Sequence, residues 1–267
     1  MSAPLSVGVL ARDEVEELER CLDSLGWADE VVVLLDARGS DACEAVARKL
    51  ASRVEKQAYA GDLAQKRACA ALASHDWLLL LDADEVVTPE LAHSIRAALE
   101  ERGAPDRVGV MEGPDGYRVN RLTYHLGRWI RHGDFFPDWK LRLFRRSQAR
   151  WRGRDPHGRI DVEGPVEALS GELLHYSYRD LADQIERVQV FSDQASAALA
   201  EEGIPFRLHR LLLRPPARFL RGYVLRRGFL DGLPGLVIAV ASAFYVFLKY
   251  AKLWERTRIA RDGIPRA

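Results

Sequence analysis

Residues 77–85 read Trp-Leu-Leu-Leu-Leu-Asp-Ala-Asp-Glu. The apolar run shows no polar alternation, which predicts a strand buried on both faces. Such a strand belongs to a parallel sheet with helices on each side, and these sheets bind ligands at the carboxyl ends of their strands. Asp82, Asp84 and Glu85 follow the run at once, so they fall on the binding edge. Three carboxylates this close repel one another unless a cation lies among them. A hard divalent ion with oxygen ligands, Mg²⁺ or Mn²⁺, meets that need. It would also neutralise charge building on a departing diphosphate.

The flanking sequence supports this reading. Upstream, Leu5–Leu10, Glu30–Leu35 (EVVVLL) and Val54–Lys56 read as strands. They alternate with helical patterns at Glu14–Leu25, at Asp41–Ala51 with Asp41 as N-cap, and at Leu63–Ala73. Downstream, Thr88 caps a helix with Pro89 at its first position. The order predicts an α/β fold, a mostly parallel sheet with helices on both faces. Ligand residues are then expected in the loops after Leu10, Leu35 and Leu81. Those loops hold Asp13 in Ala11-Arg12-Asp13-Glu14, and Asp36 in Asp36-Ala37-Arg38-Gly39-Ser40-Asp41. A carboxylate such as Asp36 accepts hydrogen bonds from a base or ribose, and Gly39 permits close backbone approach. Lys66 taken alone is an exposed helix charge. After a Gly- and Pro-rich break at 103–116, Tyr117–Leu122 and Lys140–Phe144 look like strands, and Leu181–Leu199 like a long helix.

Composition sets limits. At 267 residues and 48% hydrophobic content, one α/β core and a smaller appendage are affordable. Net charge of +0 gives no support to nucleic acid as partner, and the chain carries no recognisable nucleic-acid module. The first strand leads into Ala-Arg-Asp-Glu rather than a glycine-rich turn, which argues against a nicotinamide cofactor. Cys21, Cys43 and Cys69 lack metal-ligand spacing and read as buried thiols in a reducing compartment. No charged leader precedes the first apolar run, so the expected location is cytoplasmic.

The C-terminal part differs. From Ile204 to Leu230 there is no acidic residue but there are seven arginines. Arg207, Arg210, Arg214, Arg218 and Arg221 share one helical face if Pro215-Pro216 permit a continuous helix. Leu233–Leu248 is uncharged and almost wholly apolar, yet shorter than the roughly 20 residues of a spanning helix. With basic and aromatic flanks it predicts a helix lying in or dipping into a bilayer. The chain is thus expected to divide into a catalytic domain over 1–180 and a helical, membrane-associated region over 181–267.

Taken in order, these motifs resemble glycosyltransferase family 2, with the GT-A fold. The resemblance extends through Arg142-Leu143-Phe144-Arg145-Arg146, Pro156-His157, Leu174-His175-Tyr176-Ser177-Tyr178, Gly228–Gly232 and Lys249–Glu255. This later part is similar to the branch that includes lipopolysaccharide core heptose glucosyltransferases. The resemblance implies a nucleotide-sugar donor, UDP-glucose first, and a lipid-linked saccharide acceptor at the cytoplasmic face of the inner membrane. It implies that Asp13, Asp36 and Lys66 line the nucleotide pocket and that Asp82 faces the ribose or nucleotide. Asp84 would hold the metal, and Arg142 and His175 would sit by the diphosphate or acceptor. Inversion by direct displacement needs one general base. Asp138, Asp155, His157 and Asp161 are candidates, with Asp138 and Asp155 preferred. The chain departs from the pattern at Asp13, at Arg38, and at Gly158, where many relatives have an acidic residue. A non-catalytic relative that binds nucleotide-sugar is the alternative expectation.

Overall fold

The computed structural model describes residues 2–103, 113–153 and 158–262. In chain order, β1 (Leu5–Ala11), α1 (Val15–Asp23), β2 (Glu30–Asp36), α2 (Asp41–Leu50), β3 (Arg53–Gln57), α3 (Asp62–Leu72) and β4 (Trp77–Asp82) alternate. There follow β5 (Glu85–Val87), α4 (Pro89–Gly103), β6 (Gly116–His125), β7 (Arg128–Trp129), β8 (Asp138–Arg145), β9 (Ala149–Arg152), β10 (Arg159–Val162) and β11 (Val166–His175). Three helices complete the chain: α5 (Leu181–Glu201), α6 (Leu208–Leu220) and α7 (Gly232–Asp262).

The main sheet runs β3-β2-β1-β4-β8-β6-β11-β5, with β7 paired to β6. The first four strands are parallel; β8 joins β4 antiparallel, β6 joins β8 antiparallel, and β5 pairs antiparallel with β11. The α/β class and the mostly parallel sheet with flanking helices are as the sequence predicts. Alternate residues of the apolar strands divide between two cores. Val7, Val9, Val33, Leu35, Leu79 and Leu81 face α1, α2 and α4, while Leu34, Leu78 and Leu80 face Cys69 and Ala70 of α3 and Ala73 just after it. Burial on both faces is why these strands lack polar alternation. The three cysteines are free and buried.

Register delivers the strand ends to one level. Ala11 pairs with Leu35, and Leu10 pairs with Asp82, so the loops after β1, β2 and β4 emerge together. Thr88 caps α4 as expected, its Oγ1 accepting from Leu91 N at 3.3 Å. The cap of α2 is Ser40 and not Asp41: Ser40 is extended and its Oγ accepts from Cys43 N. Strand β11 was not legible in sequence because Gly171 interrupts its pattern. That glycine has φ +85°, and a Cβ there would lie 2.4 Å from Leu91 N, so α4 packs on bare backbone.

By contact the chain forms two compact units, Met1–Arg121 with Asp138–Tyr176, and Leu122–Pro137 with Ser177–Ala267. The second unit takes in residues 122–137, which the sequence reading placed with the first domain. In it, Asp180 caps α5, its carboxylate accepting from Asp183 N. Helix α6 continues through Pro215 and Pro216. Helix α7 extends well past the apolar run, because Lys252 donates to Gln189 O and Ser192 Oγ, and Arg256 to Ser196 Oγ and Asp193, all on α5.

Leu79 is fully buried at the centre of the parallel strands. Leu79→Ala is expected to lower unfolding free energy by ~2–5 kcal/mol. In urea denaturation this appears as a lower midpoint with unchanged slope.

Candidate active site

The nucleotide-side loops are tied by their backbones. Ser40 N donates to Asp13 Oδ1 at 3.0 Å, linking the loop after β1 to the start of α2. Gly39 N donates to Asp36 O, closing a turn in which a Cβ on Gly39 would lie 2.3 Å from Arg12 O. Only glycine fits. Asp36 is buried, and Arg38 grips both its oxygens, from the backbone N at 3.0 Å and from Nη2 at 2.6 Å. Those hydrogen bonds hold the Asp36 carboxyl down to about 2. Arg38 itself is mostly exposed and lies over Tyr59, so this loop presents a cation beside the carboxylate that the sequence singled out.

At the end of β4 the three carboxylates take different partners. Glu85 is fully buried between two guanidiniums, Arg121 at 3.1 Å and Arg142, which also donates to Asp82 Oδ2 at 2.8 Å. Glu85 Oε2 further accepts from Asp82 N. Lys66 on α3 stands 3.6 Å from Asp82 Oδ1. Burial works to raise the Asp82 carboxyl, but Arg142 and Lys66 outweigh it and hold it well below the usual range. No shared cation is therefore needed among all three acids; the protein supplies arginines to two of them.

Asp84 remains. Its Oδ2 lies 3.4 Å from His175 Nε2 at the end of β11, and Tyr176 N donates to Asp84 O at 2.9 Å. Asp84 Oδ1 is buried with no hydrogen-bond partner, as is His175 Nδ1. A buried carboxylate oxygen is costly when unpartnered, so the pair suits a cation. Among the described residues no cluster of three or more His, Cys, Asp or Glu forms a closed cage. Two protein ligands suit an ion that completes its shell with substrate phosphates and water. One carboxylate and one imidazole accommodate Mn²⁺ more readily than all-oxygen Mg²⁺.

The structure thus brings Lys66, Asp82, Asp84, Arg142 and His175 together. Arg142, expected by the diphosphate or acceptor, is buried and paired with Asp82 and Glu85. Asp138 joins the network from the other side: Arg121 donates to its Oδ2 through Nε at 2.9 Å and Nη2 at 2.6 Å, and Lys140 lies 3.0 Å from Oδ1. Burial raises its carboxyl, and Arg121 and Lys140 more than reverse this. Asp161 is ion-paired to Arg159 on the separate β9–β10 ribbon. Asp155 and His157 lie outside the described residues. Gly158 abuts Leu63, where a Cβ would come within 2.9 Å of Leu63 Cβ. An acidic side chain at 158 therefore does not fit the present backbone. Sequence reasoning gave Glu85 no role beyond the acid cluster and missed Arg121. Its one signal was the charge placed inside the strand Tyr117–Leu122.

A sheet of four parallel strands extended by antiparallel ones, with carboxylates at the end of β4, is the GT-A fold. The structure of a mannosyltransferase from Pyrobaculum calidifontis in complex with GDP-Man and Mn²⁺ shares it, with a TM-score of 0.53 at 12% identity over 95% of this chain and 88% of that one. Residues 6–162 match the model of glycosyl transferase family 2, and the chain belongs to that family. Along 95% of its length it is 28% identical to the lipopolysaccharide core biosynthesis glycosyltransferase LpsC of Rhizobium meliloti (strain 1021), covering 93% of that protein. It is 24% identical to an uncharacterized glycosyltransferase of Rickettsia typhi over 97% of this chain and 90% of that one.

Asp36 and Asp138 are both held below the ordinary aspartate value of 3.8 in the folded state. Their stabilisation is complete above that value and is lost as pH falls through the folded values, about 2 for Asp36. The urea midpoint should decline over this acid window, and Asp138→Asn should make the decline shallower.

Proposed function

We propose that this chain is a metal-dependent, inverting hexosyltransferase. It moves a sugar, glucose first, from UDP-glucose to a saccharide of lipopolysaccharide core or a similar cell-envelope glycolipid. The observation that carries the reading is the unpartnered Asp84 carboxylate oxygen beside His175, next to the Lys66–Asp82–Arg142 cluster. Likeness to LpsC along nearly the whole chain supports the acceptor class. An acceptor of that kind sits in a membrane, which agrees with an apolar, arginine-rich second unit working as a peripheral or monotopic anchor at the cytoplasmic face of the inner membrane.

In this reading Asp13 and the Asp36–Arg38 pair border the nucleotide, with Gly39 giving it backbone to lie against. Lys66 and Asp82 stand at the nucleotide's sugar and phosphates. Arg142 acts through Asp82, fixing its carboxylate and keeping it ionised. Asp84 and His175 would hold Mn²⁺ or Mg²⁺, which supplies positive charge to the departing diphosphate.

The acceptor hydroxyl must lose its proton to a base whose affinity suits neutral pH. Asp138 is poorly matched to that task, since Arg121 and Lys140 stabilise its ionised form. Its charge fits positioning better. Asp155, with His157 two residues on, is the stronger choice for the proton.

Calorimetric titration of UDP-glucose should show binding with Mn²⁺ that chelator abolishes. Asp84→Ala should weaken it by about tenfold or more, the range seen when a metal's protein ligation is disturbed. Failure of all nucleotide-sugars to bind would sink the reading, and binding without any transfer or donor hydrolysis would favour the non-catalytic alternative.

A separate comparison of turnover tests the base. Asp155→Asn should lose about 10²–10⁴-fold in kcat with donor affinity intact, and Asp138→Asn markedly less. The reverse order would restore Asp138 as the base.

A further inference from the structure

Helix α6 is amphipathic, and its apolar side is left exposed. Arg207, Arg210, Arg214, Arg218 and Arg221 fall on one stripe of the helix. Two members of that stripe, Arg214 and Arg218, reach back to the protein. Arg214 donates to Tyr250 Oη, and Arg218 Nε lies 3.0 Å from Asp134 Oδ2, a carboxylate with no exposed surface. Arg226 reaches the same carboxylate at 3.6 Å. The opposite side of α6 carries leucines that face outward, with Leu212 at 59% and Leu213 at 65% exposure.

The exposed apolar surface continues along the chain. Leu225 in the turn after α6 is 77% exposed and Leu233 at the start of α7 is 71% exposed. Leu233, Val240, Phe244 and Phe247 then recur at steps of seven, four and three, one helical stripe, all exposed. Contact of Arg214 with Tyr250 makes α6 and α7 an antiparallel hairpin with residues 221–231 at its tip. Arg207, Arg210, Arg221 and Arg227 have no acidic partner among the described residues.

This surface does not suit a spanning helix. Helix α7 is long and apolar enough by the usual length and hydropathy test. Its uncharged run Leu233–Leu248, however, extends only about 24 Å at 1.5 Å per residue, short of the roughly 30 Å hydrocarbon layer. Ile238 and Ala239 within that run are buried and lie beside Gly133, Asp134, Gly222 and Gly228. Asp231, just before it, is buried and accepts from Arg131 N and His132 N, with Arg128 at 3.5 Å. A transmembrane placement would carry these ionic groups into the hydrocarbon.

We propose that the hairpin seats in the plane of one leaflet of an anionic bilayer. The outward leucines of α6, the turn leucines and the α7 stripe enter the acyl boundary, and the four unpaired arginines meet headgroup phosphates. This deepens the membrane-surface reading above and rests on it, but it is independent of the sugar-transfer assignment.

Flotation of the full chain with vesicles tests it. Wild type should co-float with phosphatidylglycerol–phosphatidylethanolamine vesicles, bind neutral phosphatidylcholine less, and release as salt rises. The triple variant Leu213→Glu, Leu225→Glu, Leu233→Glu should lose at least about tenfold in vesicle affinity while keeping its melting temperature and its UDP-glucose titration. Should that variant fail to fold, Leu225→Trp decides: relative to wild type, its added emission should move to the blue and be quenched by lipids brominated in the acyl chain. Flotation of the triple variant equal to wild type, or added emission from Leu225→Trp that the brominated lipids leave unquenched, overturns the proposal. Wild type that binds donor but no vesicle overturns it and leaves the donor reading standing. A dimer by light scattering that the triple variant dissociates, without vesicle binding, reassigns the surface to a second copy of the chain.

Discussion

The Arg142 guanidinium between Asp82 and Glu85 is the interaction on which the site depends. Glu85 has no exposed surface and Arg142 very little, so both have left water. Such burial is tolerable only when each charge is matched by an opposite one close by. Glu85 meets this with Arg142 and Arg121 on one oxygen and the Asp82 amide on the other. Removing one partner would strand a buried charge, a loss of ~3–5 kcal/mol. The pairing joins β4 and β5 to β6 and β8, across the change from parallel to antiparallel pairing. It therefore fixes the half of the sheet that parallel alternation does not organise.

The same pairing explains why three neighbouring carboxylates do different work. Two are neutralised internally: Glu85 as a buried anchor, Asp82 as a partly exposed group held ionised by Arg142 and Lys66. Asp84, on the turn between them, is left to face His175. Segregating the acids in this way leaves one carboxylate for a cation without the repulsion that three free ones would create. Arg121 extends the network to Asp138 and, with Lys140, holds its carboxyl below the ordinary value, so charge compensation at the core of the site reaches a fourth acid.

The second unit solves a different charge problem. The Asp134 side chain is buried and draws in Arg218 of α6 and Arg226 beyond it, while the buried Asp231 lies by Arg128 of β7. The glycines Gly222, Gly228 and Gly235 let the turn and α7 approach closely; a Cβ on Gly235 would lie 1.9 Å from Gly228 O. The arginine-rich segment is thus both internal ballast and, through its unpaired members, a cationic border to an apolar surface.

What the sequence determined by itself was local or periodic. Unbroken apolar runs located β1, β2 and β4, helical spacing and Thr88 located α4, and the order of acidic loops after those strands carried the family resemblance. Asp82 and Asp84 stood out in this way, whereas Lys66 and His175 entered only through the resemblance. The tertiary structure alone decided which charges neutralise which. Arg121 and Glu85 lie 36 positions apart, as do Arg214 and Tyr250, and neither pairing leaves a trace in local pattern. Periodicity likewise showed that the arginines of α6 share a face but not that Arg214 and Arg218 on it meet Tyr250 and Asp134, because a helix's two sides are defined by its sequence and their partners only by what packs against them.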